Sequence, residues 1–219
     1  ELTVGTTSLR PSECGSTCRQ TTATLDGGET VQVRVKGPKG GIASFRLPTL
    51  PAQDGSALLD RAQERIHRLT TYRLYETLSS GLGTTIPAQY EYEAPNRLRS
   101  LVSGRTESIW IGTDRYSRDH PGGSWQLQQG GPSIPVPSFI WDYFKPFVDP
   151  RIIGAATVEG VPTTIVSFTD GQKGTPIWFR LWIDPQGLVR RAEMRAPGHF
   201  MNDRYYDFDG PITVTAPVG

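Results

Sequence analysis

Hydrophobic and polar residues alternate without interruption from Ile177 to Asp184. One set of side chains is aliphatic or aromatic throughout: Ile177, Phe179, Leu181 and Ile183. The other set holds two tryptophans separated by an arginine: Trp178, Arg180, Trp182 and Asp184. A period of two predicts a β-strand whose two faces have different surroundings. Because both faces carry large apolar side chains, we expect this strand to belong to a curved sheet that wraps around another part of the chain.

Segments of this kind follow one another from residue 72 onward, separated by turn sequences rich in Gly, Asp and Pro. They predict strands at 72–78, 88–94, 98–102, 108–111, 115–118, 125–128, 152–159, 163–169, 176–184, 188–195 and 199–207. Antiparallel hairpins at this spacing are typical of an all-β sheet or barrel, and so long a sheet tends to curl.

One amphipathic helix precedes these strands. Apolar residues recur with helical spacing from Leu58 to Leu69, and charged residues occupy the opposite side. Ser56 stands where a helix N-cap is expected. The sequence therefore predicts a single helix over 58–69 with one apolar face.

Residues 1–50 predict a separate small β module. Val31, Val33 and Val35 alternate with polar residues, and glycine-rich turns flank this strand. Three or four short strands are too few for a complete sandwich, so we expect part of an immunoglobulin-like domain or a module that packs on the remainder. Residues 51–55 are then interpreted as a linker and 56–219 as the main domain.

The segment 130–150 interrupts the strand pattern. Its five prolines exclude a central strand. It also concentrates large apolar side chains: Phe139, Ile140, Trp141, Tyr143, Phe144, Phe147 and Val148. Two interpretations stay open, a flap or plug inserted into a cavity and a loop that caps the core.

Composition limits the classes of function. The 219 residues include 23 basic and 22 acidic side chains, for a net charge of +1. This balance argues against the basic surface of a nucleic-acid-binding protein. No run reaches the ~18 apolar residues that a membrane span requires. Because the chain begins at Glu1 and not with Met, we expect a processed or excised segment whose signal or membrane anchor lies outside it.

Recognisable catalytic motifs are absent from the sequence. Only three histidines occur: His67, His120 and His199. No Gly-x-Ser-x-Gly, His-Glu-x-x-His or phosphate-binding loop is present. Asp203, Asp207 and Asp209 lie near two tyrosines, but at the end of a strand we expect solvated acids. We therefore expect a protein that is not an enzyme.

The two cysteines, Cys14 and Cys18, are separated by three residues. A closely spaced pair is typical of a local disulfide in an oxidising compartment. The same spacing occurs in thiolate copper sites of extracytoplasmic proteins, and soft sulfur ligands favour Cu(I). Both interpretations place the chain outside the cytoplasm.

A second set of candidate copper ligands lies near the C-terminus. His199 and Met201 would share one face of a strand, and Met194 lies on the preceding strand. Imidazole and thioether groups are suitable copper ligands, and copper is the only cofactor that the sequence suggests. The alternative is that both methionines pack in the core.

The order of elements resembles the LolA/LppX-like lipoprotein-carrier fold over residues 56–215. The segments that carry the resemblance are the helix 58–69, the Pro-Asn corner in 92–99, the hairpin 108–116 and the hairpin 178–189. The resemblance implies a mainly β (α+β) fold. In that fold a curved antiparallel half-barrel wraps one or two helices and holds a hydrophobic ligand on its concave face.

Three short segments also resemble the extracytoplasmic tail of bacterial CopD-type copper-transport membrane proteins: 14–18, 41–48 and 196–205. This resemblance implies an extracytoplasmic domain joined to a membrane protein in the same chain. Residues 1–50 would then be the end of a β-sandwich.

Two hypotheses of different class follow. In the first, a lipid-like or other apolar ligand binds to aromatic residues of the concave face: Trp110, Phe139, Trp141, Phe144, Trp178 and Trp182. In the second, a copper-handling accessory domain uses sulfur and imidazole ligands: Cys14, Cys18, Met194, His199 and Met201. A third hypothesis is a protein-interaction module whose aromatic residues simply fill the half-barrel.

Overall fold

The computed structural model describes residues 2–4, 7–15, 18–20, 30–35, 41–46, 53–80, 84–171 and 177–217. Six short strands come first: β1 Leu2–Val4, β2 Thr7–Leu9, β3 Ser12–Gly15, β4 Cys18–Gln20, β5 Thr30–Val35 and β6 Gly41–Arg46. Four of them form an antiparallel sheet in the order β2-β1-β5-β6, while β3 pairs with β4. The small N-terminal module is thus built from β-strands.

A twelve-stranded antiparallel sheet forms the main body of the protein. Its strands in chain order are β7 Gln53–Asp54, β8 Thr71–Ser79, β9 Thr85–Glu93, β10 Arg97–Val102, β11 Thr106–Ile111, β12 Asp114–Arg118, β13 Gln126–Gln128, β14 Phe147–Val158, β15 Val161–Asp170, β16 Trp178–Ile183, β17 Val189–Ala196 and β18 His199–Tyr206. They lie in the order β13-β12-β11-β10-β9-β8-β18-β17-β16-β15-β14-β7. The sheet is curved and does not close, which confirms the predicted half-barrel.

The C-terminal strand joins the two halves of this sheet. Strand β18 pairs with β17 on one side and with β8 on the other. The concave face therefore brings residues from the beginning, middle and end of the main domain together. Helix α1, Ser56–Ile66, and a 3-10 helix, Ile140–Phe144, pack their buried residues into the hydrophobic core on this face.

The start of α1 is tied to the edge of the sheet. Strand β7 pairs with β14, and the backbone N–H of Gly55 donates to the carbonyl of Pro150. The carboxylate of Asp54 accepts hydrogen bonds from the backbone N–H and the hydroxyl of Ser56. Ser56 is thus the first helical residue, and Gly55 takes the N-cap position predicted for it. Strand β7 thus joins residues 53 and 54 of the predicted linker to the large sheet.

The C-terminal segment covers part of the convex face. Ile212 and Val214 are buried against Ile109, which lies on the side of β11 opposite the main core. No helix in the described part of the chain is long and apolar enough to cross a membrane.

Candidate ligand-binding site

One face of each central strand supplies the hydrophobic core. Alternate residues of β16, such as Phe179 and Leu181, are fully buried and pack with Leu59 and Ile66 of α1. Because side chains on neighbouring strands share a face when their residues are cross-strand partners, the register determines which residues line the concave side. The described residues leave a large groove and a smaller inner cavity on this side.

The larger space is a groove of about 950 Å³ between α1 and strands β14 to β16. Its apolar lining comes from Leu58 of α1, Ile152 and Ala155 of β14, and Ile183 of β16. A bulge between Ile152 and Gly154 shifts the register of β14 beside the groove, and bulges bend the strand that carries them. Arg61 also lines the groove.

Asp184 lies in the groove wall but is occupied by the turn between β16 and β17. One carboxylate oxygen accepts the backbone N–H groups of Gln186 and Leu188, and the other accepts from the Arg190 guanidinium. This carboxylate therefore stabilises the turn and is saturated by its own neighbours. The groove is left mainly apolar, as expected of a site for a hydrophobic ligand.

The inner cavity has a volume of about 200 Å³ and lies beneath the 3-10 helix. Strands β8, β9 and β18 supply polar groups to it: Glu76, Tyr90, Asp203 and Tyr205. Asp203 and Glu76 are direct cross-strand partners. The Tyr205 hydroxyl donates to one oxygen of Asp203 at 2.9 Å, and the Tyr90 hydroxyl donates to Glu76 at 3.3 Å.

The charged form of both carboxyl groups is unfavourable in this cavity. Burial raises the pKa of Asp203 to about 7; the charge of Glu76 acts in the same direction and the Tyr205 hydrogen bond partly opposes it. Burial also raises the pKa of Glu76, against the hydrogen bond from Tyr90. The second oxygen of Asp203 has no hydrogen-bond partner among the described residues. An unsatisfied buried acceptor is costly and calls for an explanation.

Two solved structures share this architecture over their whole length. LprF from Mycobacterium bovis aligns with a TM-score of 0.56 at 14% identity, covering 79% of this chain and 100% of its own. The Mycobacterium tuberculosis lipoprotein LppX aligns with a TM-score of 0.55 at 14% identity, covering 73% of this chain and 99% of its own. This chain has a LolA/LppX-like fold. No protein-family model and no curated protein matches the sequence.

The aromatic residues of the 3-10 helix region lie inside the half-barrel. Phe139 and Trp141 are fully buried and their rings stack at 5.1 Å, while the ring of Phe144 lies 5.4 Å from that of Phe179. The segment thus fills one end of the concave face. Of these residues, Phe139 also lines the inner cavity.

The other three tryptophans predicted to line the cavity, Trp110, Trp178 and Trp182, lie elsewhere in the half-barrel. Trp110 is the cross-strand partner of Leu98, near the β13 edge, with the Arg115 guanidinium 4.7 Å from its ring. Trp178 and Trp182 lie on the face of β16 opposite the core, which corrects the expectation that they line the concave cavity. Guanidinium groups stack on both: that of Arg180 lies 4.5 Å from Trp178, and that of Arg191 lies 4.5 Å from Trp182.

The candidate copper ligands of the C-terminal hairpin do not form an exposed cluster. Met194 and Met201 are cross-strand partners buried in the core, and His199 is exposed at the hairpin end. Within the described residues, no group of three His, Cys, Asp or Glu side chains could hold a metal ion. The side chains of Cys14 and Cys18 lie outside the described residues. Copper binding, a disulfide at these cysteines and the CopD resemblance therefore stay predictions.

Sequence reasoning missed the carboxylate pair of the half-barrel. Asp207 and Asp209 are exposed as expected, but Asp203 is only 3% exposed. The available signal was its position between Met201 and Tyr205 on an alternating strand. That pattern places Asp203 on the apolar face.

Proposed function

We propose that this chain is a non-enzymatic, extracytoplasmic binding domain that holds a lipid-like or other apolar ligand on the concave face of the half-barrel. The observation that carries the proposal is the groove of about 950 Å³ between α1 and strands β14 to β16. Ligand sites typically span about 300–1,000 Å³ and are lined mainly by hydrophobic groups. The likeness to LppX, which is described as a lipoprotein, is consistent with a position outside the cytoplasm.

The packing of the 3-10 helix refines this proposal. Phe139, Trp141 and Phe144 close one end of the concave face, as a plug would. The ligand would therefore occupy the groove beside Leu58 and Ala155 and not the end of the concave face that these rings fill. This assigns the aromatic segment a structural role in shaping the site.

A bulky side chain in the groove tests the proposal. Ala155 is exposed on the groove wall, so Ala155→Trp fills the space without disturbing the core. We expect this variant to bind the fluorescent fatty acid cis-parinaric acid at least about tenfold more weakly than wild type, a loss of roughly 1.4 kcal/mol. Fluorescence titration measures the affinity.

The matched control is Thr113→Trp, at an exposed turn position outside the groove lining. It should bind the probe like wild type. Equal affinity in all three proteins would contradict a ligand in the groove. Absence of binding to wild type would instead favour the protein-interaction module. Native mass spectrometry of the freshly purified protein would then show whether a lipid-sized mass accompanies it.

A further inference from the structure

The inner cavity has chemistry that the groove lacks. It shares no lining residue with the groove, and two acidic side chains from different strands, Glu76 and Asp203, meet on its wall. Like charges placed directly opposite one another on a sheet destabilise it. An arrangement of this kind needs a compensating group.

No such group is supplied by the described residues around the cavity. Its lining includes no lysine or arginine. Asp203 is nine-tenths buried or more, yet one of its oxygens accepts no hydrogen bond. That side chain lies on the concave face, because Met201 and Tyr205, two residues away on either side, belong to the core. The free oxygen is therefore an acceptor without a donor.

The walls indicate which kind of cation would fit. Aromatic rings of Tyr90, Tyr92 and Phe139 line the cavity together with aliphatic Leu98. Aromatic faces attract organic ammonium groups, whereas hard metal ions require about six oxygen ligands. Tyr143, which is 65% exposed, also lines the cavity and so marks its opening to solvent. A volume of about 200 Å³ equals roughly seven water molecules at liquid density, enough for an ammonium head and a short alkyl chain.

We propose that this cavity binds the ammonium group of a primary alkylamine, with Asp203 and Glu76 as its acceptors and the aromatic rings as its walls. The ammonium group donates to the free oxygen of Asp203 and offsets one of the two negative charges of the pair. The alkyl part of the amine lies against Leu98 and extends toward Tyr143. This site goes beyond the apolar groove, since it selects a ligand by charge.

Three six-carbon probes test the proposal on the full chain: hexylamine, hexanol and hexanoate. Isothermal titration calorimetry at pH 8 should show hexylamine binding at least about tenfold more tightly than hexanol, the size expected for a charge-assisted hydrogen bond. Hexanoate should gain no affinity over hexanol, because the two carboxyl groups of the cavity repel its carboxylate. Equal affinities for the amine and the alcohol in wild type overturn the proposal, and this comparison requires no variant to fold.

Substitution of the carboxyl groups gives the second test. Asp203→Asn should abolish the preference for hexylamine over hexanol, and Glu76→Gln should reduce it. Asp119→Asn, which changes an exposed acid outside the cavity, should leave it intact. A preference that survives in both cavity variants overturns the proposal.

Acidification gives the third test. The titratable groups that face Asp203 are Glu76 of β8, Tyr90 and Tyr92 of β9, Tyr143 of the 3-10 helix, and Tyr205 on β18 itself. Burial raises the pKa of Tyr90, Tyr92 and Tyr205, so we assign the change in affinity over this pH range to the two carboxyl groups. Hexylamine affinity of wild type should fall between pH 8 and pH 5, and an unchanged affinity contradicts the assignment. Ala155→Trp should bind hexylamine like wild type, which separates this site from the groove.

Discussion

Two carboxylates of this chain are buried in opposite electrostatic surroundings. Glu107, on the convex face, is held by the guanidinium groups of Arg99 at 2.9 Å and Arg118 at 2.7 Å. Burial acts to raise its pKa, but these two partners together lower it below the ordinary value. Asp203 lies beside another acid instead, and its pKa is raised to about 7. A buried carboxylate thus stabilises the convex face, where its partners are arginines, and destabilises the concave face, where its neighbour is an acid.

The pH dependence of stability should distinguish the two acids. An unfolded Asp titrates near 3.8, so between about pH 4 and pH 7 folded Asp203 binds more protons than the unfolded chain does, and stability falls as the pH rises. Asp203→Asn removes this loss. We expect the variant to be more stable than wild type at pH 8 by about 1–3 kcal/mol, with the difference shrinking toward pH 4. Urea unfolding at several pH values measures it.

Glu107→Gln is the matched comparison and should have the opposite sign. The lowered pKa means that ionised Glu107 stabilises the fold above its unfolded pKa, and that this stabilisation is lost as the pH falls. The variant should therefore be less stable than wild type at pH 8. If Asp203→Asn changes the stability by the same amount at every pH, the raised pKa of Asp203 is contradicted.

At the level of elements, most strands of the large sheet could be predicted from periodicity. The exceptions are β7, which lies in the predicted linker, and the start of β14 at Phe147, where the prolines argued against a strand. The predicted segments 72–78 and 199–207 correspond to Thr71–Ser79 and His199–Tyr206. Periodicity could not predict which face of each strand points toward the core. Both faces of β16 carry large apolar side chains, so alternation does not tell inside from outside, and the concave position expected for Trp178 and Trp182 is wrong. The arginines that stack on their outer rings come partly from β17 and are visible only once the register is known.

The candidate site was predictable only where one segment contributes to it. The apolar run in 130–150 predicted a segment that packs against the rest of the domain, and its buried rings do lie in the core. The groove, in contrast, joins Leu58, Ile152 and Ile183, which are far apart in the sequence. No local pattern links residues that meet only through the fold.

The 3-10 helix should behave as part of the core and not as a mobile flap. Trp141 is fully buried, with its ring edge-on to Tyr205 at 5.9 Å, and Asp142 contacts His67 at the end of α1 at 2.9 Å. Trp141→Ala should lower the free energy of unfolding by about 3–5 kcal/mol. Tyr143→Ala, an exposed position on the same helix, should cost less than about 1 kcal/mol.

Chemical unfolding of both variants measures these costs. Similar small losses for the two residues would show that the helix is loosely attached, so that the aromatic segment would be a flap and not a plug. A large loss only for Trp141 supports a plug that is fixed in the core.

On the scale of the whole molecule, we expect the main domain to be complete without the N-terminal strands. Among the described residues, the large sheet draws all its strands from 53–206, and its core cluster comes from 58–208. The strands β1 to β6 form their own sheets. We therefore expect one continuous part of the chain to contain all the residues that the concave face needs in order to fold.

Two truncations that differ by five residues test whether the main domain folds without the N-terminal strands. Removal of residues 1–50 leaves β7 and the Asp54 carboxylate at the start of α1, so the melting temperature and cis-parinaric acid affinity should stay close to those of the full chain. Removal of 1–55 deletes β7, its pairing with β14 and the hydrogen bonds from Ser56 to Asp54. A helix that loses the acceptors of its first turn is less stable, so this protein should melt at a lower temperature. If both truncations destabilise the protein equally, the N-terminal sheets support the main domain. The protein that lacks residues 1–50 keeps β7, so its loss of stability would come from the missing sheets alone.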